Sequence, residues 1–154
     1  MRLFAFTLVF LSGLAGAQAL FGAQAVSVGE LRAEEKLRYE KVSKGRGVLR
    51  SKLVFVDPAA LSRQSLSMDF FGGEREQFQV KQVAGEKAWK GRGPKNFDRF
   101  VIRENDGKFS GYVLHNERQY VLTPLTRNIS LVYEITNDQE CGADSKRLEA
   151  RKIK

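Results

Sequence analysis

A single histidine, His115, and a single cysteine, Cys141, limit the chemistry open to this chain of 154 residues. No HExxH motif, no three-histidine site and no zinc site of cysteines, or of cysteine and histidine mixed, can be assembled from it. An intramolecular disulfide is excluded, and any cysteine–histidine or serine–histidine catalytic pair would have to use His115. A catalytic base must be held and tuned by its neighbours, whereas Leu114-His115-Asn116 reads as the polar end of a strand running into a turn. Asp57 is better placed as the cap of a helical turn than as half of a carboxylate pair. Asp69 is better placed as the wet-face residue of Met68-Asp69-Phe70. The glycines at 45, 47, 72, 73, 91 and 93 form neither GxxxxGK[ST] nor GxGxxG, so no phosphate loop is expected. These residues predict a protein that is not an enzyme and has no cofactor of its own.

Cys141 lies in Asp138-Gln139-Glu140-Cys141-Gly142-Ala143-Asp144, a polar stretch that predicts an exposed loop and not a core thiol. Its compartment matters. Residues 1–19 read as a secretory signal peptide: Arg2 supplies a positive start, Leu3 to Leu11 is almost purely apolar, and Ala17-Gln18-Ala19 is an A-x-A cleavage site. Ala15-Gly16-Ala17 and Ala23-Gln24-Ala25 are competing sites. Ser12, Gly13 and Gly16 interrupt the apolar run well short of the ~20 residues that a spanning helix needs. The expectation is an exported protein, periplasmic or extracellular, with no membrane span. In such compartments cysteines usually pair. An unpaired one points to a reactive thiol, a metal ligand or an intermolecular bridge.

The composition, 42% hydrophobic and 29% charged, is that of one globular domain, and the net charge of +8 favours acidic partners. Lys44-Gly45-Arg46-Gly47 and Lys90-Gly91-Arg92-Gly93-Pro94-Lys95, with Trp89 and Phe97 interleaved, have the ingredients of a single-strand binding platform. Both aromatics fall at expected strand positions that core packing explains, and export argues against nucleic acid as the partner.

A lead-in over 20–35 carries a weak helical signal from Val28 to Lys36. Beyond it the text is that of strands: Leu37–Val42, Val48–Val56, Ser65–Phe71, Glu76–Ala84, Ala88–Arg92, Phe97–Glu104, Phe109–Leu114, Gln119–Thr123 and Ser130–Thr136. Gly72-Gly73, Asp106-Gly107 and Asn116-Glu117 sit where tight turns are needed. Asp57-Pro58-Ala59-Ala60-Leu61 is the one helical turn in the body. Phe100 and Ile102 alternate with Arg99 and Arg103, and Leu131, Tyr133 and Ile135 alternate with Glu134, which predicts one buried and one wet face. The expected core is Val54, Val56, Leu61, Leu66, Phe70, Phe78, Val80, Trp89, Phe100, Ile102, Val113, Tyr120, Leu122 and Ile135. The fold expected is all-β, an antiparallel meander forming a sandwich or open barrel over 36–142, followed by a basic tail over 143–154.

Several segments, taken in order, resemble the amino-terminal propeptide domain of secreted bacterial zinc metalloendopeptidases, the reprolysin-like and peptidyl-Asp enzymes. They are Val54-Phe55-Val56-Asp57 with Ala60-Leu61, then Leu66 through Gly73, Trp89-Lys90-Gly91-Arg92, Gly107 through Gly111-Tyr112, Tyr120 through Leu125, and Cys141-Gly142. The resemblance spans about 36–142. It implies a folding assistant and latency device, with the Cys141 thiolate directed at the catalytic zinc of a partner protease and Gly142 sparing the cleft a side chain. A thiolate takes the open fourth position of a catalytic zinc at about 2.3 Å. The departure is the protease itself: the twelve residues after Gly142 contain no histidine. The implied role is therefore in trans, as an inhibitor or folding helper. The alternative is a secreted binding module for a polyanion, envelope component or other protein, with Cys141 incidental.

Overall fold

The computed structural model describes residues 17–22, 26–71 and 75–136. Nine strands form one curled sheet, a half-barrel: β1 (Gln18–Ala19), β2 (Val48–Phe55), β3 (Ser65–Asp69), β4 (Arg75–Gln82), β5 (Ala88–Arg92), β6 (Arg99–Asn105), β7 (Lys108–His115), β8 (Arg118–Pro124) and β9 (Ile129–Ile135). The order across the sheet is β1-β3-β4-β5-β6-β7-β8-β9-β2. From β3 to β9 each strand pairs antiparallel with the next, and β9 then pairs antiparallel with β2. The expected all-β meander is the fold that forms.

Turn chemistry explains the meander. Asp106 and Gly107 at φ 51° and 74°, and Asn116 and Glu117 at φ 50° and 62°, give the doubly left-handed geometry that suits two-residue hairpins. The Gly72-Gly73 turn lies outside the described residues. Asp57 accepts from the Ala59 N–H at 3.0 Å and caps the helical turn α2 (Pro58–Leu61), as its position before Pro58 predicts.

Cross-strand register lines up the concave face. Leu66, Met68, Phe70, Phe78, Phe100, Ile102, Val113, Tyr120, Leu122, Val132, Val54 and Val56 are buried there, and α2 seals one end with Ala60 and Leu61. Val80 and Trp89 pack partly buried against this cluster. Gly91 is fixed by close approach: a Cβ there would enter the Phe100 ring.

Two expectations are corrected. Residues 37–42, read as a strand, belong to helix α1 (Ala33–Ser43), which also crosses the expected boundary between lead-in and body at 35–36. Its residues are mostly good helix formers. Glu35 reaches back to the Arg32 N–H at 2.7 Å, and Glu34 and Glu35 sit at the positive end of the helix dipole. The second correction concerns Glu134, expected on the wet face. It is 5% exposed and lies on the concave side, while Leu131 and Tyr133 face outward beneath Tyr39 and Val42 of α1, with Leu31, Leu53 and Leu125. The helix supplies the convex side of β9 with its own small core. That inverts which face can carry a charge.

The lead-in also enters the sheet. Between the edges of β2 and β3, residues 18–22 form a wedge. On one side β1 pairs parallel with Leu66 and Ser67. On the other, Phe21 bridges Val56 antiparallel.

Candidate functional site

The two ends of the half-barrel differ. At the end opposite α2 are the end of β3, the start of β4, the loop before β6, the β7–β8 turn, the start of β2 and the exit of β9. A polar pocket of about 320 Å³ opens there, lined by Arg50, Phe70, Phe71, His115, Asn116, Arg118 and Tyr120.

One wall is built on Glu134. Register brings Tyr120, Glu134 and Arg50 into one row across β8, β9 and β2. Arg50 Nε donates to Glu134 Oε2 at 2.5 Å, and Arg118 Nε lies 3.8 Å from Oε1. Two guanidinium groups thus share a carboxylate that is nearly buried. The hydrogen bond to Glu134 raises the Arg50 pKa. Burial, reinforced by the Glu134 charge, raises the Tyr120 phenol.

A second set closes the seam between β2 and β3. Carbonyls at and just beyond the end of β3 meet cationic side chains: Lys52 Nζ donates to the Asp69 carbonyl at 2.8 Å, and Arg50 Nη1 to the Phe71 carbonyl at 3.3 Å. Both cations lie over the Phe71 ring, Arg50 at 4.5 Å and Lys52 at 5.4 Å from its centroid. Desolvation pulls the Lys52 pKa down, against the opposing pull of Asp69. Unpaired strand edges attract other strands, and these side chains blunt this one.

The third set is His115. The polar turn residue expected from sequence is instead 3% exposed at the last position of β7. Its Nδ1 lies 3.3 Å from Oδ2 of Asp98, which is itself 2% exposed, and its Nε2 lies 3.8 Å from Glu76 Oε1. The Asn116 amide nitrogen is 2.7 Å from Nε2. The Asn116 backbone N–H donates to Asp98 Oδ1 at 3.1 Å, and Lys95 Nζ donates to Asn116 Oδ1. Phe70 stacks on the imidazole and Phe78 meets it edge-on. Gly93 makes room, since a Cβ there would lie 2.6 Å from that of Asp98. Through the Asn116 N–H bond to Asp98 and the close approach of His115 to it, this group clasps the loop before β6 to the β7–β8 turn. Sequence reasoning missed it because Asp98 and His115 meet only through the β6–β7 register, one step beyond Arg99↔Leu114.

Cys141 and Gly142, the residues expected to face a partner's zinc, lie outside the described residues. Thr136 is the last residue described; its N–H donates to the Gly47 carbonyl at 2.9 Å, five positions before Cys141. Among the described residues, no group of three or more His, Cys, Asp or Glu could hold a metal ion. Also among them, no helix is long and apolar enough to cross a membrane.

The basic stretches expected to invite nucleic acid are split by the fold. Trp89 packs against the core, but Phe97 lies in the loop before β6 and is 73% exposed, not at a strand position. On the convex face, Lys81, Lys90, Arg92 and Arg99 border a shallow groove of about 550 Å³ beside Val101. No protein-family model matches the chain, and no curated protein or solved structure matches it either.

Proposed function

We propose that the chain is an exported, non-catalytic, propeptide-like domain that binds a secreted zinc metalloendopeptidase in trans, as an inhibitor or folding helper. The Cys141 thiolate is directed at the partner's catalytic zinc, and Gly142 lets the backbone enter the cleft. The observation that carries this reading is the ending of β9. The strand stops at Ile135 on the polar rim, six positions before Cys141 in the sequence. The described segments behind the resemblance fall in the end of β2 with α2, and in β3, β5, β7 and β8.

The test is capture from the source's own secreted fraction under mild reduction, comparing the wild type with Cys141→Ser. The expected result is a captured metalloprotease whose activity is suppressed by the wild type and largely restored with the serine variant. Equal inhibition by both discards the thiolate; no protease captured by either discards the reading.

A second reading, a binding module for polyanions, is favoured by the convex basic groove. It predicts retention on heparin that falls steeply with salt and ignores Cys141.

A further inference from the structure

Three A-x-A triplets compete as export-processing sites, and the wedge between β2 and β3 separates them by consequence. Gln18 and Ala19 pair with Leu66 and Ser67. The Leu20 N–H donates to the Ser67 carbonyl at 2.8 Å, and the Leu20 carbonyl accepts from the Asp57 N–H at 2.9 Å. The Gly22 N–H donates to the Phe55 carbonyl at 2.8 Å. This short segment therefore satisfies backbone groups on both edges of the curled sheet. Its side chains are part of the core: Leu20 is 0% and Phe21 7% exposed, and Phe21 meets Phe70 edge-on at 6.0 Å. Gln18 ties it down from its other end, its amide donating to Asp57 Oδ2 at 2.7 Å and accepting from Arg63 Nε.

A cut after Ala25 removes the whole wedge and leaves Phe55, Asp57 and Ser67 with unpaired backbone groups at the seam. A cut after Ala19 removes β1 and puts a new α-ammonium on Leu20, whose nitrogen sits inside the wall of the half-barrel. Placing a charge there costs heavily unless it is paired. A cut after Ala17 leaves every one of these contacts in place, and the new ammonium falls on Gln18, a half-buried residue whose side-chain amide donates to the Asp57 carboxylate. We infer that processing falls between Ala17 and Gln18, and that the N-terminus it releases is a working strand of the fold. This rests on the export reading above, and it moves the end of the signal peptide from residue 19 to residue 17.

The experiment has two arms. The full chain is expressed in an exporting bacterial host and the released protein is examined by N-terminal sequencing and intact mass. Forms beginning at Gln18, Leu20 and Val26 are then made directly and their thermal midpoints compared. The expected results are a released chain beginning at Gln18 and a midpoint for the Leu20 form at least ~5 °C lower, with the Val26 form lower still or unfolded. A released chain beginning at Leu20 or Val26 overturns the assigned cut. Equal midpoints for the Gln18 and Leu20 forms overturn the structural role of the strand. A chain retained with its leader intact overturns the export reading, and the inference falls with it.

Discussion

The two ends of the half-barrel are built from the same strands and do opposite things. At the α2 end, Leu20, Phe21, Val56, Leu61 and Phe109 belong to one apolar core, and among the described residues no charged side chain is buried with them. At the rim where β9 runs out, Glu134, Asp98 and His115 are buried and Arg50, Arg118 and Glu76 converge on them. Burying apolar surface stabilises without direction. Buried charge stabilises only when each group meets its partner, and it costs stability otherwise. The apolar end therefore holds the fold, and the charged end holds particular loops and the exit of the last strand in place.

Truncation should separate the ends most sharply. Leu61→Ala opens a cavity at the sealed end and is expected to cost about 2–5 kcal/mol by chemical denaturation. A cost below ~1 kcal/mol would mean that α2 is a lid and not a plug.

Glu134→Ala is expected to cost less, about 1–3 kcal/mol, because Arg50 and Arg118 keep part of their hydration when their shared acceptor is lost. A double-mutant cycle with Arg50→Ala should show coupling, and additive single effects would show the pair to be screened.

The next effect is one of pH. The Tyr120 phenol ionises at higher pH in the folded protein than in the unfolded chain, first because of burial and then because of Glu134. Its contribution is fully present below the ordinary phenol pKa of about 10 and fades as pH rises through the folded value. Lys52 acts with the opposite sign: its folded pKa lies below the ordinary lysine value of 10.5, so its penalty is relieved as pH climbs toward that value. Denaturant midpoints measured from pH 8 to 11 should fall less for Tyr120→Phe than for the wild type at the alkaline end. Parallel curves would remove Tyr120 from the network.

The smallest effect belongs to the convex face. Lys90→Ala should change stability by less than about 0.5 kcal/mol, while shortening retention on heparin if the basic groove binds polyanions. Unchanged retention counts against that second reading.

Strand positions after residue 47 were readable because two signals agree there, period-two alternation and turns whose residues accept positive φ. Helix α1 reads as a strand because Leu37 and Tyr39 alternate with the charged Arg38 and Glu40; the capping Glu35 and the helix formers around it are the better signal. Glu134 was placed on the wrong face for a different reason. Alternation separates two sets of residues, but it does not say which set faces the larger core when a helix covers the other side. The Asp98–His115 clasp left no local trace, since neither residue type nor spacing reveals a pair joined by register. The zinc-directed assignment of Cys141 rests on sequence alone.

The order of residues determined the all-β class, most strand limits, the α2 cap and the tight turns, because each depends on neighbours a few positions away. Only the tertiary structure decided which charges are buried, that residues 18–22 wedge the seam, and that β9 ends on the polar rim. Those outcomes depend on contacts between residues far apart in the chain, and such contacts exist only once the sheet has curled.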